Sequence, residues 1–246
     1  MLSLCCLFAA VSARAVTLVD IYGPGQNMVN LALATPLTGP GQAATGLGKE
    51  LGAAVESNLA FLPFMRLTPS SAVLGGTVLE AWQGAKLDFR RFQIAGADML
   101  LTAYWPAGDG RNGEVEVRLF ETFSGKPVFG GAYKGVTSSN VPEMADRICA
   151  DIMENLTGSG DFFRSTLAFV KDNGAKKRDV WLVSPTGKGL RQITNIAGTA
   201  MSPCWSPDGR YVVFSHMDDS SHALGEWERT RNRVQRIRFP GNTVIG

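Results

Sequence analysis

The sequence predicts an α+β fold, in which an amino-terminal α/β domain is followed by an incomplete β-propeller, with one full blade and then part of a second. Three observations lead to this prediction: mixed helix and strand periodicities up to about residue 158, an all-strand pattern after residue 160, and a repeat of 44 to 45 residues in that later part. The 246 residues are 45% hydrophobic and 19% charged, which is typical of a globular protein with one or two domains. A formal net charge of +2 gives no reason to expect nucleic acid or an anionic membrane as a partner.

The first fifteen residues have the pattern of a secretory signal peptide. Leu2–Val11 is almost purely apolar, and Ala13-Arg14-Ala15 supplies the small residues of a cleavage site, so we expect cleavage after Ala15. The apolar run is too short to span a bilayer. No lysine or arginine precedes it, so either the α-amine supplies the positive charge or the true start codon lies further upstream. The alternatives are a buried amino-terminal helix and a lipoprotein signal at Cys5-Cys6.

Residues 16–160 are predicted to form a small α/β domain. Residues 114–120 alternate strictly between polar and apolar side chains, which indicates a half-exposed strand. Residues 141–156 place their apolar side chains on one helical face, with Asn140 as a plausible N-cap and Gly158 as a plausible end. The same patterns predict a helix over 49–59, strands over 16–22, 64–67, 99–105 and 128–133, and an apolar stretch over 31–37.

Residues 161–246 are predicted to form the propeller part. Ser206-Pro207-Asp208-Gly209 is a strong turn signal, and the apolar run Tyr211–Phe214 follows it as a strand. The pair Ala168-Phe169 has a similar pair 45 residues later, and the stretch Leu190–Ile193 has a similar one 44 residues later. That period, with short strands and a Pro-Asp-Gly turn, is the period of a propeller blade.

The residues that make these patterns also resemble a known family. Met201–Arg210 resembles the blade-end signature of the TolB family of the Tol-Pal system, and residues 155–170 resemble the passage from that family's α/β domain into its first blade. Ala95–Asp98 fits the α/β domain. Many propellers share the turn alone, but the order of signal peptide, α/β domain and blade is more specific. Because the family has a six-bladed propeller, we expect this chain to be a fragment of a longer protein.

The resemblance implies a periplasmic binding protein without a cofactor, rather than an enzyme. It implies a role in outer-membrane integrity and in envelope invagination during cell division, by linking the Pal lipoprotein and TolA. Other outer-membrane proteins are further candidate partners. The segment carried over for TolA comprises Val16, Thr17, Leu18, Val19, Asp20, Ile21 and Tyr22. The loop residues carried over for Pal, at the propeller mouth, are Thr199, Ala200, Met201, Ser202 and Thr243. An edge strand and strand-capping loops are the alternative interpretations of these two sets.

An enzyme is the rival class of function, and its candidate residues form a weak pattern. His216 and His222, with Asp218 and Asp219 between them, could hold a metal, but this segment reads as a polar loop after a strand. No Gly-x-Ser-x-Gly elbow occurs, and residues 43–50 lack the first glycine and the hydroxyl residue of a phosphate-binding loop. A different periplasmic propeller adaptor is a third possibility.

The cysteines indicate no zinc site. Cleavage after Ala15 would leave Cys149 and Cys204, which fall in the two predicted domains, so we expect buried free thiols rather than a disulfide.

Overall fold

The structure of the chain is a computed structural model that describes residues 28–84, 86–110, 113–174, 177–219 and 221–237. Three predicted features lie outside these residues: the signal peptide with its cleavage at Ala15, the segment Val16–Tyr22, and Thr243 of the predicted mouth. Of the helices in the described ranges, none combines the length and the apolar character needed to cross a membrane.

The first sheet belongs to the predicted α/β domain. Its strands are β1 (Val29–Leu33), β2 (Leu37–Gly39), β3 (Gln42–Ala43), β4 (Met65–Leu67), β5 (Met99–Tyr104), β6 (Gly113–Glu121) and β7 (Pro127–Val136). β5 lies at the centre, parallel to β1 and to β2 and antiparallel to β6. The predicted apolar stretch over 31–37 is divided between the end of β1 and the start of β2. Pro36 lies in the break, since proline has no N–H to donate to a strand ladder.

Two long helices, α1 (Leu47–Ala60) and α3 (Val141–Thr157), cover one face of this sheet. Asp109 caps α1 from a distant loop, since its Oδ2 accepts hydrogen bonds from the Gly46 and Gly48 N–H groups at 2.7 and 3.3 Å. A carboxylate therefore occupies the start of α1, where the sequence predicts a loop that enters a helix rather than a phosphate-binding loop.

The predicted limits of α3 hold at both ends, but the predicted cap works differently. Gly158 adopts the left-handed conformation (φ 82°) that ends the helix. Asn140 occupies the N-cap position but makes no capping bond. Its Oδ1 instead accepts from the Thr137 N–H at 2.9 Å, and its Nδ2 donates to the Gly135 carbonyl.

The opposite face of the first sheet is covered by the long connection between β4 and β5, which contains the short helix α2 (Arg90–Ile94). Phe92 is fully buried there, and Trp82 stacks on Tyr104 with ring centroids 3.6 Å apart. After α3, the short helix α4 (Asp161–Arg164) contributes Phe163 to the core between the helices and the sheet.

The second sheet consists of two antiparallel meanders. The first meander contains β8 (Leu167–Asp172), β9 (Arg178–Val183) and β10 (Arg191–Gln192). The second contains β11 (Thr199–Trp205), β12 (Tyr211–Met217), β13 (His222–Glu228) and β14 (Arg233–Ile237). The sequence predicts that the first blade is complete and the second partial. In the structure, the second meander is the one with four strands. The reason is that β11, which the sequence assigned to a loop, is a strand and opens the later meander.

The turn between β11 and β12 is the one that the sequence predicts. The Gly209 N–H donates to the Ser206 carbonyl at 2.9 Å, and Gly209 has the positive φ of 66° that favours glycine. The Ser206 hydroxyl donates to Asp208 Oδ1 at 2.6 Å and accepts from the Tyr211 N–H at 2.9 Å. The hydroxyl and the carboxylate therefore fix the turn from inside.

Both described cysteines are free thiols, but only one of them is buried. Burial raises the pKa of the Cys149 thiol to about 12, so that thiol stays protonated and unreactive. Cys204 is exposed, contrary to the prediction, because it lies on the outward side of the irregular part of β11.

Candidate partner-binding surface

The candidate surface lies on β11, the first strand of the four-stranded meander. The pairing of β11 with β12 shifts between Met201 and Cys204, and Ser202 within the shift has a positive φ of 50°. This is a β-bulge, a device that turns side chains out of the regular alternation. Ser202 is exposed, and Thr199 and Met201 are half-buried. We call Thr199, Met201 and Ser202 the mouth surface.

Two parts of the prediction for the mouth residues need correction. Thr199 to Ser202 form part of a strand rather than a loop. Ala200 is wholly buried in the core of the second sheet, so its side chain packs inside and is not on the surface. Whether the remaining residues contact a partner stays a prediction.

The other edge of β11 has little strand pairing. Among the described strands, β11 meets β9 only at one point, where Thr199 lies opposite Arg178 in a parallel bridge. Beyond Thr199, this side of β11 packs against β8 and β9 without further strand pairing. At its far end, the Trp205 Nε1–H donates to the Thr166 carbonyl, just before β8, at 2.8 Å.

Gly198 fixes the start of the mouth surface. Its φ is 92°, and its carbonyl accepts a hydrogen bond from the Arg178 N–H at 3.2 Å. A Cβ at this position would collide with the carbonyl oxygen of Met217 in the neighbouring strand. Only glycine therefore lets β11 enter between β9 and β12 at this point.

A buried carboxylate holds the segment that leads to Gly198. Asp179 is fully buried, and its Oδ1 accepts from the Thr194 hydroxyl at 2.9 Å and from the Ile196 N–H at 3.1 Å. Its Oδ2 accepts from Asn173 Nδ2 at 2.9 Å, with Lys177 Nζ 4.0 Å away. The Thr194 hydroxyl also accepts from the Val180 N–H at 2.8 Å. Asp179 thus ties the chain between β10 and β11 to β9.

Local patterns in the sequence do not single out Asp179. A single acidic residue before an apolar run is typical of a solvated strand end. Only the pairing of β8 with β9 shows that Asp179 lies inside β9. The one available signal was Asp179 immediately before the apolar run 180–183.

A second candidate region is the cleft where α3 meets the second sheet, with a volume of about 230 Å³. The helix contributes the acidic Glu143 and Asp146 to its lining. The second sheet contributes the basic Arg191 from β10, Lys188 from the loop before it and Arg229 from the turn after β13. The bridge across it runs through Asn58, which donates from Nδ2 to Asp146 Oδ1 at 2.7 Å and accepts from Lys188 Nζ at 2.6 Å. These bonds fix the α/β layer against the first meander.

This bridge predicts a pH effect. Burial raises the pKa of Asp146 above the ordinary value of 3.8, while the hydrogen bond from Asn58 and the charge of Lys188 oppose that rise. An ionised Asp146 therefore lowers the stability of the folded state at neutral pH, and this cost disappears as the pH falls through the raised pKa. We expect the stability gained from Asp146→Asn to be largest near pH 7 and to shrink toward pH 4.

The measurement is urea unfolding of the two proteins at several pH values between 4 and 7. Asp161→Asn, on the exposed side of α4, is the matched control for removing one carboxylate. A difference for Asp146→Asn that grows as the pH falls would contradict the assignment.

The geometry around His216 and Asp218 does not support the alternative predictions of a metal site or a catalytic site. His216 Nε2 lies 2.6 Å from the Ala197 carbonyl, and Asp218 Oδ1 accepts from the Ser221 hydroxyl at 2.8 Å. Within the described ranges, no group of three or more histidine, cysteine, aspartate or glutamate side chains is arranged to hold a metal ion.

Comparison with known proteins gives closely similar relatives. The chain is 56% identical over 242 residues to the Tol-Pal system protein TolB of Nitratidesulfovibrio vulgaris, which is 98% of this chain and 55% of that protein. It is 28% identical over 209 residues to TolB of Desulfosudis oleivorans, which is 82% of this chain and 46% of that protein. The chain thus spans about half the length of the curated relatives it matches. No protein-family model matches it.

A solved structure shares the fold. The crystal structure of TolB from Acinetobacter baumannii aligns with a TM-score of 0.67 at 16% identity, over 87% of this chain and 50% of that one. The predicted resemblance to TolB is therefore confirmed, and the likeness agrees with an α+β fold. The blade count and the boundaries at 15 and 160 remain predictions. The relatives are named as a Tol-Pal system protein rather than as an enzyme, in agreement with the predicted class.

Proposed function

Because the chain resembles TolB along nearly all of its length, we propose that it is a periplasmic protein–protein interaction component of the Tol-Pal system. It would connect two partners, the Pal lipoprotein at the propeller mouth and TolA at the amino-terminal segment. That link would support outer-membrane integrity and envelope invagination during cell division. No cofactor or metal takes part in this proposal.

The observation that carries the Pal side is the mouth surface itself. The bulge at Ser202 presents an exposed serine on the surface of the second sheet. The buried Asp179 and the close packing at Gly198 hold the start of β11 in one position before any partner arrives. A pre-organised surface loses less conformational freedom on binding, which favours a stable complex.

The TolA side rests on sequence alone. Val16–Tyr22 alternates between apolar and polar side chains, a pattern suited to adding one strand to a partner's sheet edge. The segment precedes the described residues, and the first described strand, β1, begins only at Val29.

Two variants of the full-length protein separate the two partners. Deletion of residues 16–22, behind an intact signal peptide, is expected to abolish co-purification with TolA and to leave Pal bound. Ser202→Arg is expected to weaken Pal binding at least tenfold and to leave TolA bound. Ser138→Arg, on an exposed serine of the turn before α3, is the matched control and should retain both. Retention of Pal by Ser202→Arg would contradict the placement of the Pal site, and capture of neither partner by the wild type would favour a different propeller adaptor.

A further inference from the structure

Four large apolar side chains are exposed around the short helix α2. The exposed fractions of Leu74, Ile94 and Phe123 are 67%, 61% and 71%, and Val78 is 40% exposed. Exposed apolar residues are normal when they are scattered singly, but a group of them marks an interaction site. We call Leu74, Val78, Ile94 and Phe123 the α2 surface.

Arg91 fixes one side of the α2 surface. Its Nη2 donates to the Val78 carbonyl at 2.9 Å, and its Nη1 donates to the Gly75 carbonyl at 3.4 Å. Gly75 has a positive φ of 78°, which turns the chain sharply after Leu74. Leu74 and Val78 are therefore held beside the helix.

Gln93 fixes the other side. Its Nε2 donates to the Thr122 carbonyl at 2.7 Å, so the turn that carries Phe123 lies against α2. Phe92, the residue before Gln93, is fully buried, and each further helical residue rotates the side chain by about 100°. Ile94, two positions after Phe92, therefore projects outward between the two flanking segments.

The α2 surface lies away from the second sheet. The core around Phe92 covers one face of the first sheet, whereas α1 and α3 cover the opposite face. The second sheet contacts the helices on that opposite face, for example where Lys188 Nζ donates to Asn58 of α1 at 2.6 Å. A partner at the α2 surface therefore leaves the mouth surface free.

Cations without an ion pair flank the α2 surface. Arg90 projects from the helix, and Lys126 follows the turn that carries Phe123; both are exposed. This turn packs closely on the start of the helix, since a Cβ on Gly125 would lie 3.2 Å from the Phe89 ring. Among the described residues, neither Arg90 nor Lys126 takes part in an ion pair.

The carboxylates nearest to these cations in the chain already have partners. Asp88 accepts from the Arg90 N–H at 3.2 Å and lies 3.9 Å from Arg91 Nε. Glu121 accepts from the Ser124 hydroxyl within its own turn. The groups left to meet a partner are apolar side chains and cations, so the complementary surface is apolar inside and anionic at its boundary.

We propose that the α2 surface binds the surface of an anionic phospholipid membrane. Leu74, Ile94 and Phe123 enter the boundary of the acyl chains, and Arg90 and Lys126 meet the lipid phosphates. Apolar side chains next to lysine and arginine are typical of proteins that lie on a membrane without crossing it. The net charge of +2 for the whole chain carries no such expectation, because the cations at this surface are a local feature. This contact is additional to the proposed function, since it requires neither Pal nor TolA.

Flotation of the purified full-length protein with POPG vesicles measures this contact in the absence of Pal and TolA. The protein lacks residues 1–15, because that apolar run would itself enter a bilayer. We expect binding to POPG that weakens as the salt concentration rises, and much weaker binding to zwitterionic POPC vesicles. Phe123→Ser should weaken binding to POPG at least tenfold, as expected for one aromatic side chain that leaves an apolar environment. Phe61→Ser is the matched control, since Phe61 is 57% exposed but lies at the end of α1, on the other face of the sheet.

A second pair of variants tests the cations. Arg90→Gln combined with Lys126→Gln should weaken binding to POPG at least tenfold, at about fivefold for each charge near the membrane. Lys49→Gln combined with Lys134→Gln removes two exposed lysines from α1 and β7, away from the α2 surface, and should weaken binding far less.

Three results would overturn the proposal. They are the absence of flotation of the wild type with POPG vesicles, unchanged binding by Phe123→Ser, and unchanged binding by the double variant at Arg90 and Lys126. Analytical ultracentrifugation of the free protein tests the other occupant. A dimer that Phe123→Ser converts to a monomer, without vesicle binding, would assign the α2 surface to a second copy of the chain. Thermal unfolding of each variant shows whether the altered protein is folded.

Discussion

Replacing Asp179 by alanine is expected to lower the free energy of unfolding by about 3–5 kcal/mol. The change leaves the Thr194 hydroxyl, the Ile196 N–H and the Asn173 amide without the carboxylate that accepts from them in a fully buried site. Each orphaned buried donor retains its desolvation cost. Because the same residues hold the segment before Gly198, we also expect the Asp179→Ala protein to lose Pal binding.

Urea unfolding followed by tryptophan fluorescence measures the loss of stability. Asp179→Asn keeps one oxygen for Thr194 and Ile196 but places an amide opposite Asn173, so we expect a smaller loss of about 1–2 kcal/mol. Asp172→Ala, in an exposed ion pair with Arg178, is the matched control and should lower the stability much less than Asp179→Ala. Equal losses of stability in Asp172→Ala and Asp179→Ala would show that the buried hydrogen bonds of Asp179 stabilise the fold no more than an exposed ion pair does.

Gly198→Ala is expected to have the second largest effect, a loss of about 3 kcal/mol. Two costs combine at this position. A φ of 92° is unfavourable for any residue with a Cβ, and the new methyl group would meet the carbonyl oxygen of Met217, which belongs to a strand and cannot easily move. The start of β11 would shift, so the mouth surface would lose its position as well.

Gly209→Ala separates these two costs. Gly209 also has a positive φ, 66°, but nothing lies within 4 Å of the place where its Cβ would stand. That variant should lose only about 1 kcal/mol, the conformational part alone. If both alanine variants lose the same amount in urea unfolding, the close approach to Met217 has no energetic consequence.

Local patterns in the sequence were sufficient for most of the helices and strands. The strict alternation over 114–120 and the apolar face over 141–156 predict β6 and α3 within a few residues, because each pattern depends on a single buried face. The turn at Ser206–Gly209 was equally predictable, since its bonds join residues at most five positions apart.

The candidate surface depended on contacts between distant positions, and these were not predictable from local patterns. Proline at position 203 and the small residues before it indicate a loop, yet the pairing of β11 with β12 makes the stretch a bulged strand. The role of Asp179 arises from the residues that the fold brings around it. Its own neighbourhood in the sequence is not distinctive.

The central claim is that the bulge of β11 faces Pal, and site-specific photo-crosslinking in intact cells tests it most directly. A photoreactive benzophenone amino acid is placed at Ser202, and in a separate protein at Thr230, an exposed residue of the turn after β13. Our account predicts a cross-link to Pal from position 202 and none from position 230. Cross-linking to Pal from position 230, with none from position 202, would contradict it.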